Sequence, residues 1–191
     1  MNNCYINDLF PATVAYQDFE APDKNLVKFS LDFLEKYKNY PFYSPCISTV
    51  RTKINVLDLQ EFSKIKENIV NLIHVYCDYK KIISNNLAIV DSWLNLYNKN
   101  GYQDLHHHPD SMISGVYYIQ GTGKKDLSFQ APWYFNQPSF PDFSEINLSN
   151  CYNVEYESVT GRCIIFMSHL QHRTFPTENR RISLSFNAKY I

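Results

Sequence analysis

Five of the six histidines fall in two short segments, His106-His107-His108 and His169 with His172. Imidazole both titrates near neutrality and ligates transition metals, so such clustering calls for a chemical cause. In a strand, side chains two apart share a face; His106 and His108 can therefore turn two rings to one point while His107 faces away. A third ligand must come from another strand. His172 follows Gly161-Arg162-Cys163-Ile164-Ile165-Phe166-Met167, a β-rich run able to deliver it to the same mouth. Three ligands from one side leave coordination positions open for substrates. A lone histidine is more often a hydrogen-bonded structural residue; the pairing of H-x-H with a distant histidine is what raises the metal reading above that. Zinc hydrolases, cupins and iron oxygenases all fit it, and the lack of a general base within the H-x-H segment counts against a hydrolase.

The last apolar run adds a second kind of chemistry. Arg181, Ser183, Ser185 and Asn187 alternate with Ile182, Leu184 and Phe186, so a strand there has one polar face headed by a cation. A polar face is commonly just the solvent side of an edge strand. Here Arg181 lies nine positions after His172, close enough along a turn and strand to sit beside the same metal. A guanidinium fork in that place would bind a dicarboxylic acid whose other end chelates the metal.

These residues need a scaffold. Val27, Leu31, Leu34 and Tyr37, with Asp23 placed to cap, predict an amphipathic helix over residues 23–38. Asp58 and Glu61 stand in a capping-box relation ahead of Phe62, Ile65, Ile69, Leu72, Ile73 and Tyr76, which predicts a second. Beyond Asn85 the texture changes to short β-rich runs: Leu87–Tyr97, Met112–Gln120, Lys125–Phe129, Asn153–Ser158, Arg162–Met167 and Arg181–Lys189. Gln130–Asn150, with three prolines among Trp133, Phe143 and other aromatic residues, reads as an ordered loop that shields something. Helices followed by strands give an α+β class, mainly β. The expected organisation is one domain, 1–191, with helical support over 1–85 and a β core over 86–191.

Composition narrows the partners. With 18 basic against 19 acidic side chains, no field draws in nucleic acid. No apolar run approaches the ~20 residues that cross a bilayer, and the opening lacks the plan of a signal peptide, so a cytoplasmic protein with no membrane partner is expected, a homodimer being left open. Five scattered cysteines without a C-x-x-C pair suit reduced thiols rather than disulfides or a thiolate zinc site.

One family carries the same residues in the same order. The run Trp93-Leu94-Asn95 … Gly101 … His106-His107-His108-Pro109 … Ser114-Gly115-Val116-Tyr117-Tyr118-Ile119, then Gly161 … Ile165-Phe166 … His172 … Arg181-Ile182-Ser183-Leu184-Ser185-Phe186-Asn187, resembles the 2-oxoglutarate-Fe(II) oxygenases of phages and bacteria. Leu9-Phe10-Pro11 resembles that family's opening, so the likeness covers most of the chain apart from about 130–150. More distantly the layout resembles prolyl and aspartyl/asparaginyl hydroxylases. The resemblance implies a double-stranded β-helix (jelly roll, cupin-like) with supporting helices, and a dioxygenase using Fe(II) and 2-oxoglutarate to hydroxylate a C–H bond of a protein side chain, amino acid or small metabolite, releasing succinate and CO2. It implies His106 and His172 as metal ligands, with His108 as the third through the H-x-H-P string, and Arg181 as the grip on the distal carboxylate. Tyr118 resembles the tyrosine that helps hold that carboxylate in prolyl hydroxylases, with Tyr117 the alternative favoured by an ungapped comparison with the aspartyl enzymes, and strand parity decides which one faces inward; Asn95 and Ser183 are placed to contact co-substrate or substrate. Most relatives of this fold have H-x-D or H-x-E, and His108-Pro109-Asp110 is a literal H-x-D, so Asp110 competes for the third ligand position. Three neutral imidazoles would leave the centre one unit more positive than a carboxylate triad. The rival class is a non-catalytic metal-binding cupin, which has no need of Arg181.

Overall fold

Asp23 makes the predicted cap. Its side chain accepts the backbone N–H of Leu26 at 2.8 Å and starts α1 (Lys24–Lys36), in a computed structural model that describes residues 11–40, 42–133 and 141–191. The second helix departs from expectation at its start. α2 (Ser63–Lys80) begins behind two tight turns, Val56–Asp58 and Gln60–Phe62, and Phe62 occupies its cap position with no side-chain hydrogen bond. Burial of Val56, Leu57 and Phe62 fixes those turns and carries Asp58 away from the helix N–H groups; its carboxylate instead meets Lys66 Nζ at 2.7 Å. The apolar face reads as predicted, with Ile65, Ile69, Leu72, Ile73 and Tyr76 buried.

Ten strands follow from the remaining described residues. β1 (Val14–Asp18), β2 (Ile47–Ser48), β3 (Leu87–Tyr97), β5 (Ile113–Gln120), β8 (Arg162–Met167) and β10 (Arg181–Tyr190) form a six-stranded sheet in the order β1-β8-β5-β10-β3-β2. β4 (Gln103–His106), β6 (Lys125–Gln130), β7 (Asn153–Glu157) and β9 (His172–Thr174) form a four-stranded sheet in the order β4-β9-β6-β7. Every pairing is antiparallel. The six β-rich runs of the sequence are all strands; β1, β2, β4 and β9 are too short or too polar to show a period.

β10 organises the molecule. It lies between β5 and β3 rather than at an edge, and its polar face is interior, with Arg181, Ser183 and Asn187 all buried. Ile182, Leu184, Phe186 and Ala188 are each 0% exposed and pack with Leu34, Ile69 and Ile73 into the core between sheet and helices. The opposite face looks toward the four-stranded sheet, where Tyr118, Leu127, Phe129, Ile164, Phe166 and Leu170 form a smaller core. Removing each such side chain from water contributes about 1.5–3 kcal/mol. Two antiparallel sheets closed on one another with helices on one outer face make a double-stranded β-helix. No described helix is long and apolar enough to cross a membrane, and Cys46, Cys77, Cys151 and Cys163 are free thiols. In the 130–150 loop Trp133 and Phe143 both rest on Tyr152, at 5.7 and 6.3 Å between ring centroids; residues 134–140, like Leu9 and Phe10, lie outside the described residues.

Candidate active site

His106 closes β4 and His172 opens β9, and the two are cross-strand partners in the smaller sheet. His108 is not on that strand. The ladder stops at His106, and the chain then bends into a turn in which Asp110 adopts a left-handed φ of 63°. His108 instead donates its backbone N–H to the Ser168 carbonyl at 2.9 Å, which ties it to the segment leading into β9. The same-face expectation for His106 and His108 is thus met by a bent chain rather than by strand parity. Ring centroids lie 4.2 Å apart for His106 and His172, 5.2 Å for His106 and His108, and 5.1 Å for His108 and His172. One nitrogen from each ring falls within 4.8 Å of the others, and Asp110 is exposed and outside this group.

The tautomers follow from the partners. His106 Nδ1 lies 2.7 Å from the Asp104 carbonyl and His172 Nδ1 lies 2.9 Å from the Leu170 carbonyl. A carbonyl only accepts, so Nδ1 carries the proton in both rings and Nε2 keeps its lone pair for a metal. Burial lowers all three pKa values, that of His108 to about 4 and that of His172 well below the usual range. The neutral, ligating form is therefore the resting form. Asn187 stabilises the opposite state of His108 slightly through a side-chain hydrogen bond, and is itself anchored by Ser114 Oγ at 2.7 Å, which also meets Ser168 Oγ at 2.7 Å.

Arg181 stands at the other end of the same cleft. It is 0% exposed, packed 4.4 Å over the Tyr97 ring, and its Nε, Nη1 and Nη2 have no hydrogen-bond acceptor among the described residues. Nη1 does lie 3.0 Å from Asp126 Oδ2, at ion-pair distance but off the hydrogen-bond direction. The Tyr118 hydroxyl, also buried, lacks a partner too. Burial raises the Tyr118 phenol far above its ordinary pKa, against the pull of Arg181, so it remains an O–H donor. Unpaired donors this deeply buried cost several kcal/mol unless something fills the space with acceptors.

Register explains the gathering. Arg181, Ser183 and Ser185 face Tyr97, Asn95 and Trp93 across the β10–β3 pair, and Ser183 faces Tyr118 across β10–β5. Parity chooses between the two tyrosines: Tyr118 turns into the cleft, and Tyr117 turns to the helix side, where it stacks on Phe19 at 6.4 Å. Ser183 lines the cleft. Asn95 shares the face but not the lining; its Nδ2 donates to Ser185 Oγ at 3.1 Å. Trp93, Val116, Leu127 and Phe166 wall a space of about 470 Å3, open mouth included. Trp93 stacks on His108 and Phe166 meets His172 edge-on, at 5.8 and 4.6 Å. These apolar walls exclude water and strengthen every charge interaction inside. Asp126 and Tyr97 were not visible as site residues in the sequence; Tyr97 is marked only by sharing a strand face with Trp93, and Asp126 by nothing local.

The donor set fits a metal chelated by a dicarboxylic keto acid: neutral imidazole nitrogens at one end, an unpartnered guanidinium and phenol at the other. Comparison with known proteins points the same way. Residues 91–187 match the sequence profile of a family described as "Putative 2OG-Fe(II) oxygenase". Curated proteins give no match. Among solved structures the chain is similar to a prolyl-4-hydroxylase from Pseudomonas putida, with 14% identity over 94% of both chains and a TM-score of 0.62. It is similar to HygX from Streptomyces hygroscopicus, seen with nickel, 2-oxoglutarate and hygromycin B, with 12% identity over 94% of this chain and 83% of that one and a TM-score of 0.62. A viral collagen prolyl hydroxylase from Paramecium bursaria Chlorella virus-1, seen with 2-oxoglutarate, shares 12% identity over 92% of this chain and 96% of its own, with a TM-score of 0.56. At such identities these structures establish the fold, the double-stranded β-helix. The profile match spans half of the chain, and with it the protein belongs to the 2OG-Fe(II) oxygenase family, enzymes that depend on Fe(II) and 2-oxoglutarate.

Proposed function

We propose that His106, His108 and His172 hold Fe(II) through three neutral imidazoles, and that Arg181 and Tyr118 hold the distal carboxylate of 2-oxoglutarate, with Ser183 beside them. The observation that carries this reading is Arg181: a buried cation whose N–H groups find no acceptor among the described residues, in the same cleft as the three histidines. A carboxylate supplies the missing acceptors, and the planar fork binds it at two points. The chemistry that the bound metal and co-substrate supply is oxidative decarboxylation of 2-oxoglutarate to succinate and CO2, coupled to insertion of one oxygen atom of O2 into a substrate C–H bond.

The chain's own residues do the remaining work. Asp104 and Leu170 carbonyls fix the His106 and His172 tautomers, and Ser168 holds the backbone of His108. Trp93 and Phe166 shield the ligands from water. The product is an alcohol on a protein side chain, an amino acid or a small metabolite. The test is anaerobic titration of the Fe(II)-loaded protein with 2-oxoglutarate, followed by succinate release on admitting O2. A charge-transfer band on titration and stoichiometric succinate are expected; neither appearing would overturn the reading.

A further inference from the structure

Asp126 has no part in the chemistry described so far, yet it is one of the most buried carboxylates in the described chain, 5% exposed on β6. Its Oδ2 accepts from the hydroxyls of Thr122 and Ser158 and lies 3.0 Å from Arg181 Nη1. The alignment is what matters. The two hydroxyls hold the carboxylate, while the guanidinium beside it makes no hydrogen bond to it. Asp126 therefore gives Arg181 a neutralising charge without using its donors.

We propose that Asp126 is a positioning counter-ion for the co-substrate site. It allows a desolvated Arg181 to stand ready in the empty pocket, and it restores the negative charge that an all-imidazole metal site lacks. A divalent metal with three neutral imidazoles, a dianionic keto acid and Arg181 together keep one positive charge; a carboxylate ligand on the metal would cancel it. No carboxylate joins the histidine group among the described residues, and Asp110 is exposed and outside it. Asp126 supplies that charge at the opposite end of the cleft. A counter-ion in this place also competes electrostatically with the incoming distal carboxylate, so it weakens co-substrate binding while it stabilises the empty pocket. A residue that merely braced β6 would do neither selectively.

This rests on the functional reading above, and the experiment separates the two. Wild type, Asp126→Asn, Arg181→Met and the double variant are loaded with Mn(II) without O2, and melting temperature and affinity are measured for 2-oxoglutarate and for pyruvate, which lacks the distal carboxylate. Asp126→Asn should melt lower than wild type without ligand, and should bind 2-oxoglutarate at least about tenfold more tightly, because a like charge beside the distal carboxylate's binding group is removed. Pyruvate affinity should stay unchanged. The double variant should melt higher than Asp126→Asn, because no uncompensated charge remains; if Asp126→Asn fails to fold while the double variant folds, that too supports the counter-ion role. An equal 2-oxoglutarate shift in wild type and Asp126→Asn, the same gain for pyruvate, or a double variant no better than the single one would overturn it. Absence of any 2-oxoglutarate shift in the wild type would overturn the functional reading instead, leaving the ligand-free melts to decide the role of Asp126.

Discussion

Replacing Arg181 by alanine removes a buried guanidinium that lines the same cleft as the histidine cluster. Arg181 is 0% exposed and all three of its nitrogens lack an acceptor among the described residues, so a bound carboxylate would receive two parallel charged hydrogen bonds there. Each such bond contributes about 1.5–3 kcal/mol. Water entering the alanine cavity returns part of this, which leaves a loss of about 3–4 kcal/mol, or roughly a hundred- to a thousandfold in KM for 2-oxoglutarate. Iron affinity should hardly move, because the imidazole nitrogens belong to β4, β9 and the turn after β4 rather than to β10. Arg181→Lys keeps the charge but loses the planar two-point contact, so it should recover only part of the loss. The assay is succinate formation against 2-oxoglutarate concentration at fixed Fe(II) for the three proteins, with Fe(II) binding measured separately. Coincident curves, or a loss of iron affinity equal to the loss of co-substrate affinity, would refute the reasoning.

Three further outcomes are expected. His106→Ala, His108→Ala and His172→Ala should each lose tight Fe(II) binding by calorimetry, whereas Asp110→Ala should keep it; the reverse for His108 and Asp110 would reassign the third ligand. Without metal, the protein should lose stability as pH falls from about 6.5 toward about 4. Burial lowers the His108 pKa from 6.5 to about 4, so in that window the unfolded chain binds the proton and the native chain does not. The difference for His108 alone is about 3 kcal/mol, read from urea melts as wild type minus His108→Phe. Gly115→Ala would put a Cβ 2.3 Å from Phe186 Cζ and 2.8 Å from the Ile164 carbonyl oxygen; overpacking of that kind costs about 1–3 kcal/mol and should lower the melting temperature by about 2–10 °C.

Sequence periodicity by itself determined the two amphipathic helices, the six long strands and the two faces of Arg181–Tyr190, because those patterns record local burial in steps of 3.6 or 2. It also marked His106, His108, His172 and Arg181, since imidazoles and a guanidinium in such spacing have few bland uses. The α2 capping box failed for a tertiary reason: Val56, Leu57 and Phe62 are drawn into the core, and the turns they impose carry Asp58 toward Lys66. Only the tertiary structure decided that β10 is an inner strand and that the smaller sheet covers its polar face, which makes that face a wall of the cleft rather than a solvent surface. It turned Tyr118 rather than Tyr117 into the cleft through the β10–β5 register, and it set Asn95 Nδ2 on Ser185, whose side chain lines the cleft. It also brought Asp126 of the smaller sheet to Arg181 of the larger one. Contacts of that kind form between sheets, and a pairing fixed by how two layers close leaves no period in either strand for the sequence to show.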